Sequence, residues 1–148
     1  IVTLSIDTSG VGLHKRGYRE EAGIAPLKET LAAAMVLISR WRGDYPLVDP
    51  FCGSGTILIE AAMIAQNIAP GLCRNFVSET WPTIGSEVYE QVKEGAERSI
   101  KKNDIKLIGY DLDGRILRVA RSNAQKAGVA DYIDFQKRDF REFKKAFS

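Results

Sequence analysis

The stretch of residues 47–65, LVDPFCGSGTILIEAAMIA, most constrains the fold of this 148-residue chain. A short apolar run ends in Asp49, a Gly-Ser-Gly turn follows at 53–55, and an apolar helical pattern begins at Thr56. Glycine lets the backbone approach a ligand closely because it has no Cβ. The amides at the start of the helix favour an anionic group. The segment therefore predicts a strand, a ligand-binding turn and a helix.

The same strand-then-helix pattern recurs along the chain. We predict strands at 46–49, 106–111 and 132–139, and helices at 26–42, 56–68, 87–102 and 113–127, with a short charged helix after the third strand. Such alternation is typical of an α/β fold with a parallel sheet, right-handed crossovers and helices on both faces. An N-terminal β-hairpin, a link over 14–26 and an insertion over about 70–105 complete the predicted organisation.

Two helices carry more specific predictions. The apolar stripe expected to be buried on the first helix consists of Leu27, Leu31, Ala34, Met35 and Ile38. On the last helix, Asp113 is placed to cap the N-terminus and Gly128 to end the C-terminus. The hairpin is predicted from the alternation over 2–7, the turn at 8–10 and the apolar residues 11–13.

Each of the three strands ends in or just before an acid, namely Asp49, Asp111 and Asp139. Ligands of such sheets bind outside the carboxyl ends of the strands. Asp111 is placed to accept hydrogen bonds from a ribose diol, although Asp can also cap a helix. Asp139 is placed to accept from an exocyclic amine while Phe140 packs on a base, and a purely structural role is almost equally favoured.

Several classes of site are disfavoured by the residues. The dinucleotide motif G-x-G-x-x-G fails because Leu58 stands at its third glycine, and no Gly-Lys-Ser/Thr phosphate loop is present. One histidine and two separated cysteines make a zinc site unfavourable, and this cysteine content fits a reduced cytosolic setting. No run approaches the roughly 20 apolar residues that cross a bilayer, and residues 1–30 lack a signal-peptide pattern. The net charge of +2 selects no partner.

A basic cluster at 14–16, His-Lys-Arg, is followed by Tyr18 and Arg19. Cations beside an aromatic residue suggest nucleic-acid phosphate contacts, but charge clusters in loops are more often simply solvated. His14 has no partner acid nearby in the sequence, so a catalytic base is not expected there.

The segment DPFCGSGTILIEAAMIAQNIAPGL, preceded by LHKRGYR and APLKETLAAA, resembles the RNA methylases that follow a THUMP domain. The chain is similar to large-subunit ribosomal RNA guanine-N2 methyltransferases, a group labelled adenine-specific DNA methylases in older usage. The block IAPGLCRNF with a following Trp is more specific than the glycine turn. The resemblance implies a Rossmann-like fold that binds S-adenosylmethionine, with 1–148 forming a single, truncated methyltransferase domain.

The resemblance also implies a set of cofactor-binding residues. Around the methionine part it implies Asp49, Phe51, Gly53, Ser54, Gly55 and Thr56; at the ribose Asp111 with Leu112; at the adenine Asp139 with Phe140; and in the N-terminal motif 26–30 Lys28, Glu29 and Thr30. No metal is implied.

The family's base-binding loop, of the Asn-Pro-Pro-Tyr type, does not occur in this sequence, nor does the THUMP domain. We therefore predict no catalytic residue here, and we do not expect the chain to methylate alone. The longer protein is expected to be cytoplasmic, to bind RNA and to methylate N2 of a guanine in large-subunit rRNA. Alternatives are an adenine-N6 methylase of DNA or RNA, a silent module that binds nucleic acid or protein, and, less favoured, an NAD-dependent oxidoreductase.

Overall fold

The computed structural model of the chain describes residues 2–19 and 27–142. At its centre lies a sheet of three parallel strands in the order β1-β2-β3. These strands are β1 (Leu47–Asp49), β2 (Leu107–Asp111) and β3 (Ile133–Lys137). Leu107 pairs with Leu47 on one side and with Ile133 on the other, so the carboxyl ends lie at one edge. The predicted parallel α/β sheet is confirmed, and among the described strands β1 pairs with β2 alone.

Four α-helices accompany the sheet, as predicted. They are α1 (Glu29–Ser39), α2 (Thr56–Ala65), α3 (Ser86–Arg98) and α4 (Gly114–Lys126). Each ends one to four residues before its predicted end; α1, for example, stops where Arg40 takes a left-handed φ of 59°. The predicted caps of α4 are confirmed, because Asp113 accepts from the Arg115 amide and Gly128 has a φ of 71°. After β3 there is a single 3-10 turn at Phe140–Glu142, and 143–148 lie outside the described residues.

The core forms where α2 and α4 pack on the strands. Its fully buried side chains include Leu58 and Ile59 from α2, Leu107 from β2 and Leu117 from α4. At about 1.5–3 kcal/mol for each large apolar side chain removed from water, this cluster is the main source of stability. The carboxyl ends of the strands, with the residues that follow them, are thereby held on a rigid base.

The predicted buried stripe of α1 is wrong. The buried residues of α1 are Glu29, Ala32 and Val36, whereas Met35 is 47% exposed and Ile38 is 80% exposed. The helix is apolar around most of its circumference, so periodicity does not select one face. The small side chain of Ala32 permits close packing, and α1 turns that side inward where it lies against α2.

The predicted N-terminal hairpin is also wrong, because residues 2–13 contain no strand. Their carbonyl groups bind side chains of the insertion instead of a partner strand. Arg74 donates to the carbonyl of Ser9 at 3.2 Å and to that of Gly12 at 3.1 Å, and Ser78 donates to that of Thr8 at 2.9 Å. An isolated two-stranded hairpin is marginal in water. The predicted link at 14–26 is described only as far as residue 19.

The insertion over 70–105 contains a 3-10 turn at Val77–Thr80 and the helix α3. No residue of α3 is buried, which agrees with its prediction as a polar helix. The insertion is fixed to the rest of the chain by side chains such as Ser78 rather than by a core of its own. No helix in the described ranges is long and apolar enough to cross a bilayer.

Candidate functional site

The turn after β1 folds over the carboxyl end of β2. The Cys52 amide donates to the Tyr110 carbonyl at 2.8 Å, and the Gly55 amide donates to the Cys52 carbonyl at 2.8 Å. The Asp49 carboxylate accepts the Phe51 amide at 3.0 Å and so shapes the start of the turn. The predicted glycine turn is therefore a defined loop at the edge where the strands end.

Asp111 connects this turn to the loop after β2. One of its carboxylate oxygens accepts the Gly53 amide at 3.0 Å, and the other accepts the Asp113 amide at 2.9 Å. A carboxylate has about four acceptor positions, so each oxygen keeps capacity for a ligand hydroxyl. Asp113, rather than Asp111, caps α4, which leaves the role predicted for Asp111 open to it.

Burial and mutual repulsion shape the electrostatics of the strand ends. Burial raises the pKa of the Asp49 carboxyl, the Phe51 amide lowers it, and the Asp111 carboxylate raises it. Burial, followed by these two carboxylates, raises the pKa of the Cys52 thiol to about 12. The thiol therefore stays protonated and is no nucleophile at neutral pH. Two neighbouring carboxylates favour a cationic group of a ligand here.

The two glycines of the turn differ in what surrounds them. A Cβ on Gly53 would meet no atom within 4 Å, whereas one on Gly55 would lie 2.8 Å from the Phe135 ring. Both have positive φ, 52° and 81°. Gly55 is thus required for packing between the turn and β3, while Gly53 borders open space.

Two exposed aromatic rings meet beside these carboxylates. Phe51 is 66% exposed, Phe140 is 48% exposed, and their centroids lie 4.9 Å apart. With Leu112 they border a cavity of about 90 Å³, whose lining also includes Pro50, Asp111 and Arg138. Ligand sites commonly measure about 300–1,000 Å³. With the two rings in contact, the cavity is smaller than this range.

Asp139 lies next to this cavity but binds Arg141. The Arg141 amide donates to it at 2.9 Å and the guanidinium Nε to both oxygens at 3.0 Å. These bonds lower the pKa of the Asp139 carboxyl to about 2. Of the pair predicted to hold an adenine, the structure places Phe140 on the cavity and Asp139 beside it.

The residues predicted from the N-terminal motif lie elsewhere. Lys28 and Glu29 line a separate cleft, and Thr30 is exposed on the first turn of α1. Arg19, which the sequence suggested only as a possible phosphate contact, connects that region to the turn. It pairs with Glu29 at 3.2 Å and donates to the Thr56 hydroxyl at 2.5 Å.

The sequence analysis also did not identify Arg138 or Asn123, the residue that contacts Ser54. Arg138 lines the small cavity, and its guanidinium lies 5.3 Å from the Tyr110 ring centroid. The buried Asn123 donates to the Ser54 carbonyl at 3.3 Å. These contacts join residues far apart in the chain, so no spacing pattern reveals them.

Two residues of the basic segment, Arg16 and Tyr18, have structural partners. Arg16 pairs with the buried Glu60 of α2 at 3.3 Å, and the Tyr18 hydroxyl donates to the same carboxylate at 3.1 Å. Within the described ranges, no group of three or more His, Cys, Asp or Glu is placed to hold a metal ion.

Comparison with known proteins identifies the kind of domain. The family model UPF0020, RMKL-like methyltransferase domain, matches residues 16–148. The chain is 48% identical over 141 residues to "Putative RNA methyltransferase YpsC" of Bacillus subtilis (strain 168), covering 95% of this chain and 37% of that protein. It is 49% identical over 145 residues to the ribosomal RNA large subunit methyltransferase K/L of Vibrio parahaemolyticus serotype O3:K6, covering 92% of this chain and 20% of that protein.

Solved structures agree with these relatives. A "predicted N6-adenine-specific DNA methylase" from Listeria monocytogenes superposes with a TM-score of 0.90 at 49% identity. SMU.472 complexed with SAH superposes with a TM-score of 0.88 at 43% identity. Each covers 95% of this chain, which spans 37% of either neighbour. The Rossmann-like methyltransferase fold expected from the sequence is confirmed.

Proposed function

We propose a function from one premise: the chain belongs to the UPF0020 family of RMKL-like methyltransferase domains. It is the S-adenosylmethionine-binding part of a longer RNA methyltransferase. The observation that carries this proposal is the Asp111 carboxylate, which holds the glycine turn through the Gly53 amide, retains acceptor capacity and lines the small cavity. A neighbour of known structure is complexed with SAH, the product form of this cofactor.

The residues present fit such a cofactor. Asp49 and Asp111 provide negative charge for its cationic groups, and the space beside Gly53 has room for a ligand next to the backbone. Phe51 and Phe140 offer exposed ring faces to a purine. An ordered glycine turn, carboxylates with unused acceptor positions and exposed aromatic rings therefore occur together at one edge of the sheet.

Each part of the site has a separate task in this proposal. Asp111 accepts from the ribose hydroxyls, with Leu112 beside it, while Phe140 packs on the adenine and Asp139 accepts from its amine. The turn holds the methionine end through Asp49, Phe51 and the segment 53–56. When bound, S-adenosylmethionine supplies an electrophilic methyl group on its sulfonium; the protein orients donor and acceptor.

The N-terminal motif acts through Arg19. Lys28 lies outside the small cavity, and the buried Glu29 fixes Arg19, whose guanidinium reaches the first residue of α2. Thr30 shares the same helical turn. We therefore assign Glu29 an indirect part in cofactor binding through Arg19, whereas the part assigned to Lys28 and Thr30 rests on their position beside Glu29 in the motif.

The proposed substrate is RNA, and more specifically N2 of a guanine in large-subunit rRNA. The names of the two curated relatives support RNA, and one of them names the large ribosomal subunit. The Listeria neighbour's name favours adenine N6 in DNA as a second candidate. Because the chain spans 20% and 37% of its relatives, methyl transfer is assigned to the longer protein, in the cytoplasm.

Calorimetric titration of the chain tests the cofactor proposal. We expect saturable binding of S-adenosylmethionine and SAH, with no binding of NAD. Asp111→Ala should abolish binding. Asp131 is an exposed acid just before β3, at the opposite end of the sheet, so the control variant Asp131→Ala should leave binding intact. Binding of NAD, or equal affinity in both variants, would contradict the proposal.

The substrate requires the longer protein. Ribosomal RNA and DNA treated with it and labelled cofactor would be digested to nucleosides and analysed by mass spectrometry. N2-methylguanosine supports the first candidate; N6-methyladenine in DNA supports the second.

A further inference from the structure

A second, larger cleft lies beside the proposed cofactor site. It has a volume of about 770 Å³ and is built from three segments: 11–19, 28–29 and 73–75. The charged and polar lining residues are His14, Lys15, Arg16, Arg19, Lys28, Glu29, Arg74 and Asn75. Five of these are basic Lys or Arg and one is acidic, so the cleft has a strong positive charge although the whole chain carries only +2.

The three arginines are held in place by internal partners. Arg16 binds Glu60, Arg19 binds Glu29, and Arg74 donates to main-chain carbonyls of the N-terminal segment, including that of Lys15 at 3.3 Å. These side chains form the walls of the cleft, and their hydrogen bonds and ion pairs are made within the protein.

The two lysines are different. Lys15 and Lys28 are both exposed, and within the described ranges neither side chain has a hydrogen bond or an ion pair. Both line the cleft whose walls the arginines form, so two ammonium groups, unpaired in the described part of the chain, lie at one concave surface. Lysine ammonium groups bind phosphate as point charges without reading sequence.

Arg19 physically connects the cleft to the cofactor turn. Its guanidinium lines the cleft and also donates to Thr56, the first residue of α2. Thr56 directly follows the Gly-Ser-Gly turn. A polyanion in the cleft would therefore lie next to the place where the methyl group is proposed to be held.

We infer that this cleft binds the sugar-phosphate backbone of the RNA beside its target nucleotide, through Lys15 and Lys28. The inference rests on the proposed function. Tyr18, the aromatic residue of the basic cluster, does not stack on bases, because it is only 1% exposed. The cleft thus positions the strand without specifying the base.

Salt-dependent binding of RNA tests this inference. A fluorescent single-stranded RNA of mixed sequence would be titrated with the chain at several salt concentrations. The variant Lys15→Gln/Lys28→Gln should lower the slope of log K against log salt by about 1.4, because each single-strand phosphate contact contributes about 0.7. The control variant Lys101→Gln/Lys102→Gln removes the same charge from an exposed segment before β2 and should change the slope little.

An equal reduction of the salt slope by both double variants would overturn the inference. So would a result in which polyglutamate displaces the fluorescent RNA as effectively as unlabelled RNA of equal charge does. A reduced slope in the cleft variant alone supports it. SAH titration of the unmodified chain is independent of these results. Absent SAH binding therefore counts against the proposed function, whereas SAH binding with an unchanged RNA slope counts against the cleft alone.

Discussion

Replacing Arg16 with Met removes a cation from a buried ion pair while keeping an apolar stem of similar length. Arg16 lies 3.3 Å from the Glu60 carboxylate, and the two side chains are only 12% and 3% exposed. In the variant, the Tyr18 hydroxyl, at 3.1 Å, is left as the donor to this carboxylate. A single neutral donor compensates a buried negative charge poorly.

The size of the loss is limited because Glu60 can bind a proton. Relative to an ordinary value of 4.5, protonation at pH 7 costs about 3.4 kcal/mol, at about 1.36 kcal/mol per pH unit. Burial already raises the pKa of Glu60, and Arg16 is the main group opposing that rise. We therefore expect the variant to lose about 2–3 kcal/mol of unfolding free energy at pH 7.

The sign of the pH dependence follows from the raised pKa. The folded state of the variant binds the Glu60 proton more tightly than the unfolded state does. The penalty is therefore absent below the unfolded pKa and grows as pH rises above it. At pH 5 the variant should lose less than about 1 kcal/mol.

Urea unfolding followed by circular dichroism at pH 5 and pH 7 measures these losses. Lys15→Met, next in the sequence, is the matched control and should cost little at either pH. Within a Glu60→Gln background, Arg16→Met should also cost little, because no buried charge remains. A loss that is independent of pH, or unchanged in that background, would refute the reasoning.

Three further predictions concern the turn and the strand ends. Asp111→Asn replaces one of two acceptors of main-chain amides with a donor, so SAH affinity measured by calorimetry should fall at least about tenfold. Gly55→Ala should cost about 2–4 kcal/mol in urea unfolding, because its φ is 81° and its Cβ would lie 2.8 Å from a ring of β3; Gly53→Ala, with open space around it, should cost about 1–2 kcal/mol. Arg141→Met should return the pKa of Asp139 from about 2 toward 3.8 in a carboxyl NMR titration. In the original chain the Asp139 carboxylate stabilises the fold above pH 3.8, and this stabilisation is lost as pH falls toward 2. The variant should lack this contribution.

The strands and the glycine turn were predictable from sequence because their signals are local. The apolar runs before Asp49 and Asp111 have the length and composition of buried strands, and Asp113 and Gly128 lie where helix caps are expected. Each of these signals depends on residues within a few positions of one another.

The errors arose where distant contacts decide the structure. The buried face of α1 depends on how it packs against α2, and a helix that is apolar nearly all round does not reveal that. The hairpin failed because Arg74 and Ser78, over 60 residues away, take the carbonyl groups that a partner strand would need. In the same way, Arg16 is a structural residue only because Glu60 lies buried beside it.

Asp111 has two tasks, and this governs how any loss of ligand binding can be interpreted. Its carboxylate holds the turn through the Gly53 amide, so removing it disturbs the loop as well as the proposed ribose contact. Gly53→Ala separates the two effects, because it leaves both hydrogen bonds of Asp111 in place and adds a methyl group only to the open space. Suppose that the unfolding free energy of that variant lies within about 2 kcal/mol of that of the original chain, while its SAH affinity is more than about tenfold weaker. The ligand then occupies the space beside the turn. If SAH affinity is unchanged, the cofactor does not approach the backbone at Gly53, and the proposed contact between this part of the turn and the methionine end of the cofactor is wrong.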